Sequence, residues 1–443
     1  MSSESNPLLE RFREAGPEAD LLLSILRMGY RPEEASRLDG ILDKGVDWER
    51  FVTLALKNEV LPAVTKVLRK HCVDSIPRPV LDFIEDRFRR NVRRNAVLCH
   101  ELLHLNRLFE RHSIQVINYK GPEMIPRIGL DIEECQFNDL DLLIRPDQEP
   151  ELRSLLLSQG YRLEKEGMKG PRKDYTYIRR KEPDGSPSIP GLPEDIPETG
   201  RIIVEPHLRI TEYRLPITIE EETFWKRAES IEFMGESLPV LSDSDFLLVL
   251  CLAGCKASWK NLKLINHIAA LLQCLPEQSV HRCMVEAKKA GCERMVSMGL
   301  LLAHDLFSSP TVLSPLIRRA RSDGKLVRYA EKVVMARSRS EASINYHPFP
   351  WKYSPIIMWT LDRPVDRVRY LWRTTTMPYP VHYRRFPLPR GLTMLYRFIV
   401  PVHDYLLVPF VQWFRWRFSK ESGMPTVHAA LRSFMKERYS EAV

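Results

Sequence analysis

The chain contains no run approaching the ~18 uninterrupted apolar residues that a membrane-crossing helix requires. It opens Met-Ser-Ser-Glu-Ser-Asn-Pro, with no apolar stretch of the kind that makes a secretory signal. Its eight cysteines form no C-x-x-C pair. That scatter argues against a disulfide framework and against a zinc knuckle, and it suits a reducing, cytoplasmic setting. Internal repeats and low-complexity tracts are also missing. What remains is an ordinary globular composition of 44% apolar and 28% charged residues. A length of 443 residues allows two or three domains and a sizeable core.

The net charge of +8 is unevenly placed. From Arg363 onward there are fourteen Lys/Arg against five Asp/Glu, so the rest of the chain is close to neutral. The spacing predicts a helical N-terminal region over 1–112. Its last helix runs from about Val80 to His112, with Phe88, Val92, Cys99, Leu102, Leu103 and Phe109 as a buried stripe. An α/β core is expected over 113–235, with a helix from Asp147 to Gln159 closed by Gly160. Within that core, 183–200 holds five prolines and three glycines and reads as a loop between strands. A second helical domain is expected over 236–345, then a basic, aromatic, Pro-rich segment over 346–443.

The most informative residues are Asp139 and Asp141, in the run Phe137-Asn138-Asp139-Leu140-Asp141-Leu142-Leu143-Ile144. The pattern is that of a strand, and side chains at i and i+2 of a strand share a face. Two carboxylates held so close repel each other unless a divalent cation neutralises them. Upstream, Ile114 to Pro122 reads as a strand that breaks at Lys120-Gly121 into a helix start. Downstream, Arg201 to His207 reads as a strand carrying a third carboxylate, Glu205.

In their order and spacing, Lys120-Gly121, Asp139 to Ile144, Glu205-Pro206-His207 and Cys255 to Leu262 resemble the landmarks of a bacterial nucleotidyltransferase family within the DNA polymerase β-type superfamily. The resemblance covers roughly residues 50–410. It implies an α+β fold, a small mixed sheet flanked by N- and C-terminal helical regions. It implies transfer of a nucleoside monophosphate from an NTP to an unknown acceptor: a small molecule, sugar, peptide, protein or nucleic acid. Asp139, Asp141 and Glu205 would hold Mg²⁺ or Mn²⁺ and carry the catalysis. Lys120 and the amides after Gly121 would meet phosphate, and His207 would orient a carboxylate or a phosphate. The chain departs from its relatives in several places. Gln136 and Phe137 stand where they often carry Arg. Gly254, Lys256 and Ala257 occupy an H-x-x-K-H segment, and His267 replaces Asp.

Two other functions compete. A decayed core could act as a binding module without catalysis. His100-Glu101-Leu102-Leu103-His104 matches H-E-x-x-H and would make a zinc hydrolase. Against the second, Arg93, Arg107 and Arg111 lie on the same helical face and disfavour a further cation. Five arginines between Arg87 and Arg94 read as a solvated face, and Lys256 and Trp259 as packing residues. In the tail, Trp413, Phe414, Trp416 and Phe418 surround Arg415 and Arg417. That segment is expected to cover the core in cis, with weak contact to an anionic membrane surface as the alternative.

Overall fold

A computed structural model describes residues 6–166, 175–180, 201–211, 214–308, 310, 313–339, 354–378, 380–407 and 410. The loop expected over 183–200 and the aromatic run Trp413 to Phe418 lie outside them. Six helices come first: α1 (Pro7–Arg13), α2 (Pro17–Arg27), α3 (Leu38–Leu42), α4 (Trp48–Lys57), α5 (Leu61–His71) and the long α6 (Arg78–Arg111). Phe88, Cys99, Leu102, Leu103 and Phe109 form the buried stripe of α6, whereas Val92 is only half-buried.

The strands that follow are β1 (Val116–Lys120), β2 (Leu140–Ile144), β3 (Arg162–Glu166), β4 (Tyr175–Arg180), β5 (Arg201–His207), β6 (Glu229–Phe233) and β7 (Glu236–Val240). They form one mixed sheet in the order β3-β4-β5-β2-β1-β7-β6. β2 lies between β1, antiparallel to it, and β5, parallel to it. All five residues of β2 are buried, Asp141 among four apolar ones, as a central strand should be. β5 alternates instead: Ile202, Val204 and Pro206 are buried, while Glu205 and His207 face a partly open side.

Between strands lie α7 (Ile125–Ile128), α8 (Glu149–Ser158) and α9 (Glu221–Lys226). α8 starts with Pro150 in its first turn, and Gly160 follows its end at φ +80°, a backbone angle that glycine adopts without penalty. After the sheet come α10 (Asp243–Lys256), α11 (Leu262–Cys274), α12 (Glu277–Ala290), α13 (Glu293–Phe307), α14 (Ser314–Ser322), α15 (Gly324–Ser338), α16 (Pro355–Thr360), α17 (Pro364–Thr376), α18 (Pro380–Arg385) and α19 (Tyr396–Val402). Ser242 caps α10, its hydroxyl accepting the Asp245 N–H at 3.3 Å. Among the described residues no helix is long and apolar enough to cross a membrane.

The C-terminal helices pack tightly around Trp259, which is fully buried. A Cβ on Gly254 would stand 2.4 Å from the Trp259 ring. Glycine at this departure from the family pattern is therefore a packing requirement, and a histidine there has no room.

One buried ion pair fixes the sheet to α6. Glu101 is fully buried; one carboxylate oxygen accepts the Tyr161 hydroxyl at 2.6 Å and the other accepts from the Arg179 guanidinium. The Glu of the H-E-x-x-H is thus a core anchor between α6, the β3 entry and β4. Replacing Glu101 with Ala leaves Arg179 buried without its carboxylate, and should cost about 3–5 kcal/mol in urea unfolding. His100→Ala with His104→Ala, at two half-buried positions, should cost about 1 kcal/mol. The reverse ranking would mean that Glu101 is not structural.

Candidate metal and nucleotide site

The site begins with a register irregularity. Ile117 and Asn118 of β1 lie opposite Leu143 and Leu142 of β2, but Lys120, not Tyr119, lies opposite Asp141. One residue of β1 is extra, a bulge that turns Lys120 onto the face carrying Asp141. On the other side of β2, Asp141 is in register with Glu205, and Leu143 with His207. Lys120, Asp141 and Glu205 therefore form one row across three adjacent strands. Thr176 of β4 extends the row by donating its hydroxyl to Glu205 Oε1 at 3.1 Å. Asp139 sits in the unpaired residues just before β2, half-buried beside the row.

Asp141 is the hub. Its Oδ2 lies 2.7 Å from the Lys120 ammonium, and its Oδ1 2.7 Å from His207 Nε2. Burial alone would raise the Asp141 pKa, but the Lys120 ammonium and then His207 outweigh it and hold the carboxyl well below the usual range. An ionised carboxylate only accepts, so His207 Nε2 carries the proton it shares with Asp141. Burial also works against the Lys120 ammonium. Asp141, supported by Asp139 and Glu205, outweighs that, and the Lys120 pKa rises. Asp139 goes the other way: burial, then the charges of Asp141 and Glu205, raise its pKa. Asp139 is the carboxylate short of positive charge.

Asp141, Glu205 and His207 each offer a ligand atom, all within 4.8 Å of one another. Oxygen-rich donors of this kind fit a hard divalent cation such as Mg²⁺ or Mn²⁺. Of the five residues that the sequence places together, Lys120, Asp141, Glu205 and His207 meet at the row, while Asp139 feels their charges from just before β2 and offers no ligand atom to the group. Lys120 contacts a carboxylate where a phosphate contact had been expected.

The turn after β1 is furnished differently from the expectation. Pro122 has no N–H, and a 3₁₀ turn over Pro122–Met124 leads into the four-residue α7. The Glu123 carboxyl folds back on it: a Cβ on Gly121 would stand 2.7 Å from Glu123 Oε2. A larger residue at 121 would displace that carboxyl. Burial pushes the Glu123 pKa up to about 8, against the backbone amides of Glu123 and Gly121, which pull it down.

Residues outside the motifs also reach the site. Lys263 of α11 pairs with Glu59 and lies 3.4 Å from the Gln136 carbonyl, and its charge lowers the Asp139 pKa. Arg94 of α6 donates to the Asn138 carbonyl at 2.8 Å and feels the charge of Asp139. Arg94 is therefore half-buried at the site, not part of a solvated face. Together with Arg87 and Arg90 it lines a cavity of about 190 Å³ whose far wall includes Gln136 and Asn138. The only sequence signal for Arg94 was its basic run, and Lys263 lies one residue beyond the Cys255–Leu262 landmark. His267 is buried, and burial, with Lys263 nearby, drives its pKa down to about 3, so it is neutral at pH 7.

The Glu123 carboxyl gives a pH test. A group whose folded pKa is raised contributes stability that is complete below its unfolded pKa and lost as pH rises through the folded value. Wild-type protein should therefore lose stability between about pH 5 and pH 9 relative to Glu123→Gln, which keeps the neutral form. Parallel denaturation midpoints across that range would show an ionised Glu123.

No curated protein matches this chain. A family model described as uncharacterised nucleotidyltransferase matches residues 44–308, which include every residue of the site, and the chain belongs to that family.

Proposed function

We infer that this protein is a divalent-metal-dependent nucleotidyltransferase of the DNA polymerase β type, moving a nucleoside monophosphate from an NTP to an acceptor hydroxyl. The observation that carries this is the row Lys120–Asp141–Glu205, in register across three strands, with Asp139 beside it. When bound, Mg²⁺ or Mn²⁺ would neutralise triphosphate charge and lower the pKa of the attacking hydroxyl. Asp139, Asp141 and Glu205 would hold it.

The chain's own groups then have distinct tasks. Lys120 and His207 fix both oxygens of Asp141 and keep it ionised. Thr176 holds Glu205 Oε1, so that Oε2 is the oxygen turned towards His207, at 3.9 Å. Glu205, the least enclosed carboxylate of the row, is placed to take the proton of the acceptor. Arg94, which feels the charge of Asp139, lines a cavity with Arg87 and Arg90 that favours an anionic group. A binding module without catalysis is the second reading. The observation favouring it is Glu123, whose carboxyl occupies the turn where phosphate would meet backbone amides.

Because the carboxylates and a triphosphate repel each other, an NTP should bind weakly without divalent ion and at least tenfold more tightly with Mg²⁺ or Mn²⁺ in calorimetric titrations. Asp139→Asn together with Asp141→Asn should abolish this metal effect while the far-UV circular dichroism stays native. Metal-independent NTP binding by wild-type protein sinks the assignment. Metal-dependent binding without pyrophosphate release, across a panel of acceptors, selects the binding module.

A further inference from the structure

A second cluster of ligating side chains lies outside the residues matched by the family model and plays no part in the chemistry above. His382 of α18 and His403 and Asp404, which begin a π-helical turn over His403–Leu407 after α19, are all buried. His382 Nε2 lies 2.9 Å, and His403 Nδ1 2.8 Å, from the same oxygen, Asp404 Oδ1. The two imidazole rings stand nearly perpendicular, 84° apart, with centroids 5.0 Å from each other. One ligand atom from each of the three residues lies within 4.8 Å of the others.

We propose that His382, His403 and Asp404 form a transition-metal site of the zinc type, which staples α18 to the π-turn after α19. Two imidazole nitrogens and a carboxylate oxygen suit Zn²⁺ far better than Mg²⁺. This separates the site from the carboxylate row. Zn–N and Zn–O bonds near 2.0–2.1 Å put tetrahedral donors roughly 3.3–3.4 Å apart, so the trio opens by about half an ångström when it closes on the ion. Water completes the coordination.

The local structure gives the staple a purpose. Among the residues from 380 to 407 whose burial is described, His382, Tyr396, Val400, His403 and Asp404 are buried, and His382, His403 and Asp404 are the proposed ligands. Met394, Phe398 and Leu406 remain exposed. A metal cross-link would hold these short helices together where so many apolar side chains stay exposed. The π-turn has its own significance, since such turns are concentrated at functional sites.

Metal entry rearranges two protons and one side chain. Arg385 Nη1 lies 3.3 Å from His403 Nε2, and a guanidinium can only donate. His403 therefore holds its proton on Nδ1, facing Asp404. Coordination through Nδ1 shifts that proton to Nε2 and requires Arg385 to turn away. Arg385 is exposed and has solvent to turn into. His382 likewise coordinates through Nε2 with its proton on Nδ1. Each ring keeps one proton, so it binds as a neutral ligand.

The test uses full-length protein purified without chelator. Elemental analysis should find one zinc per chain. That zinc should persist in Asp141→Asn and in His100→Ala/His104→Ala, and disappear in His382→Gln and in Asp404→Asn. Co²⁺ added to EDTA-stripped wild-type protein should give the visible d–d bands of a four-coordinate site, with the same bands in Asp141→Asn. The wild-type cobalt spectrum decides by itself if the His382 and Asp404 variants fail to fold. No retained zinc and no four-coordinate cobalt bands in wild type would overturn the proposal. So would zinc that survives both His382→Gln and Asp404→Asn, or that leaves with Asp141.

Discussion

Everything at the candidate active site depends on Lys120 meeting Asp141 across the β1–β2 ladder. Side chains alternate along a strand, so a regular register would put Tyr119 opposite Asp141 and turn Lys120 to the other face. The extra residue in β1 reverses that parity for one position. Its consequence is electrostatic. Asp141 is buried, and a buried carboxylate stays ionised only where compensating charge is close. Lys120 supplies that charge, and His207 supplies a hydrogen bond to the second oxygen. Burial, and then the charges of two neighbouring carboxylates, move the Asp139 pKa the other way. One ion pair thus divides the D-x-D into a carboxylate already neutralised and one that gains most from a cation.

The helical regions on either side of the sheet are part of the same electrostatic arrangement. Lys263 of α11 is held by Glu59, the second residue after α4, which takes a left-handed backbone angle of +54°. The Lys263 amide also donates to the Asn58 carbonyl at 3.2 Å, and the Asn58 side chain donates to the Arg337 carbonyl at 3.0 Å. The N-terminal helices, α11 and α15 therefore meet close to the residues that precede Asp139. Arg94 approaches the same residues from α6. Positive charge thus reaches the acidic row from elements far apart in sequence, and the field at Asp139 depends on how those helices dock.

How much of this could be read from the chain follows from which interactions are local. The D-x-D strand, the acidic β5 and the Lys-Gly turn are short patterns, and the strand period puts their side chains on predictable faces. The long α6 and the α8–Gly160 boundary were legible for the same reason. The bulge was not, because it concerns the pairing of two strands rather than the pattern of either. Nor was the fate of Glu123, which no motif singles out and whose burial makes it a neutral group filling its own turn. H-E-x-x-H shows the opposite failure. Its letters match a metal site, but helix phase turns Glu101 inward, where Arg179 and Tyr161 claim both oxygens.

The same contrast explains why the two clusters of ligating side chains call for different ions. On the sheet, the donors are mostly carboxylates beside a lysine, on a partly open face. Such a place suits a hard cation that arrives with a phosphate-bearing substrate and leaves with the product. Between α18 and the π-turn, the donors are mostly imidazoles, all buried. An ion there would be held by enclosure and would exchange slowly. If both clusters bind metal, the sheet offers harder ligands than the C-terminal trio, so ligand type together with metal availability would decide which ion each takes.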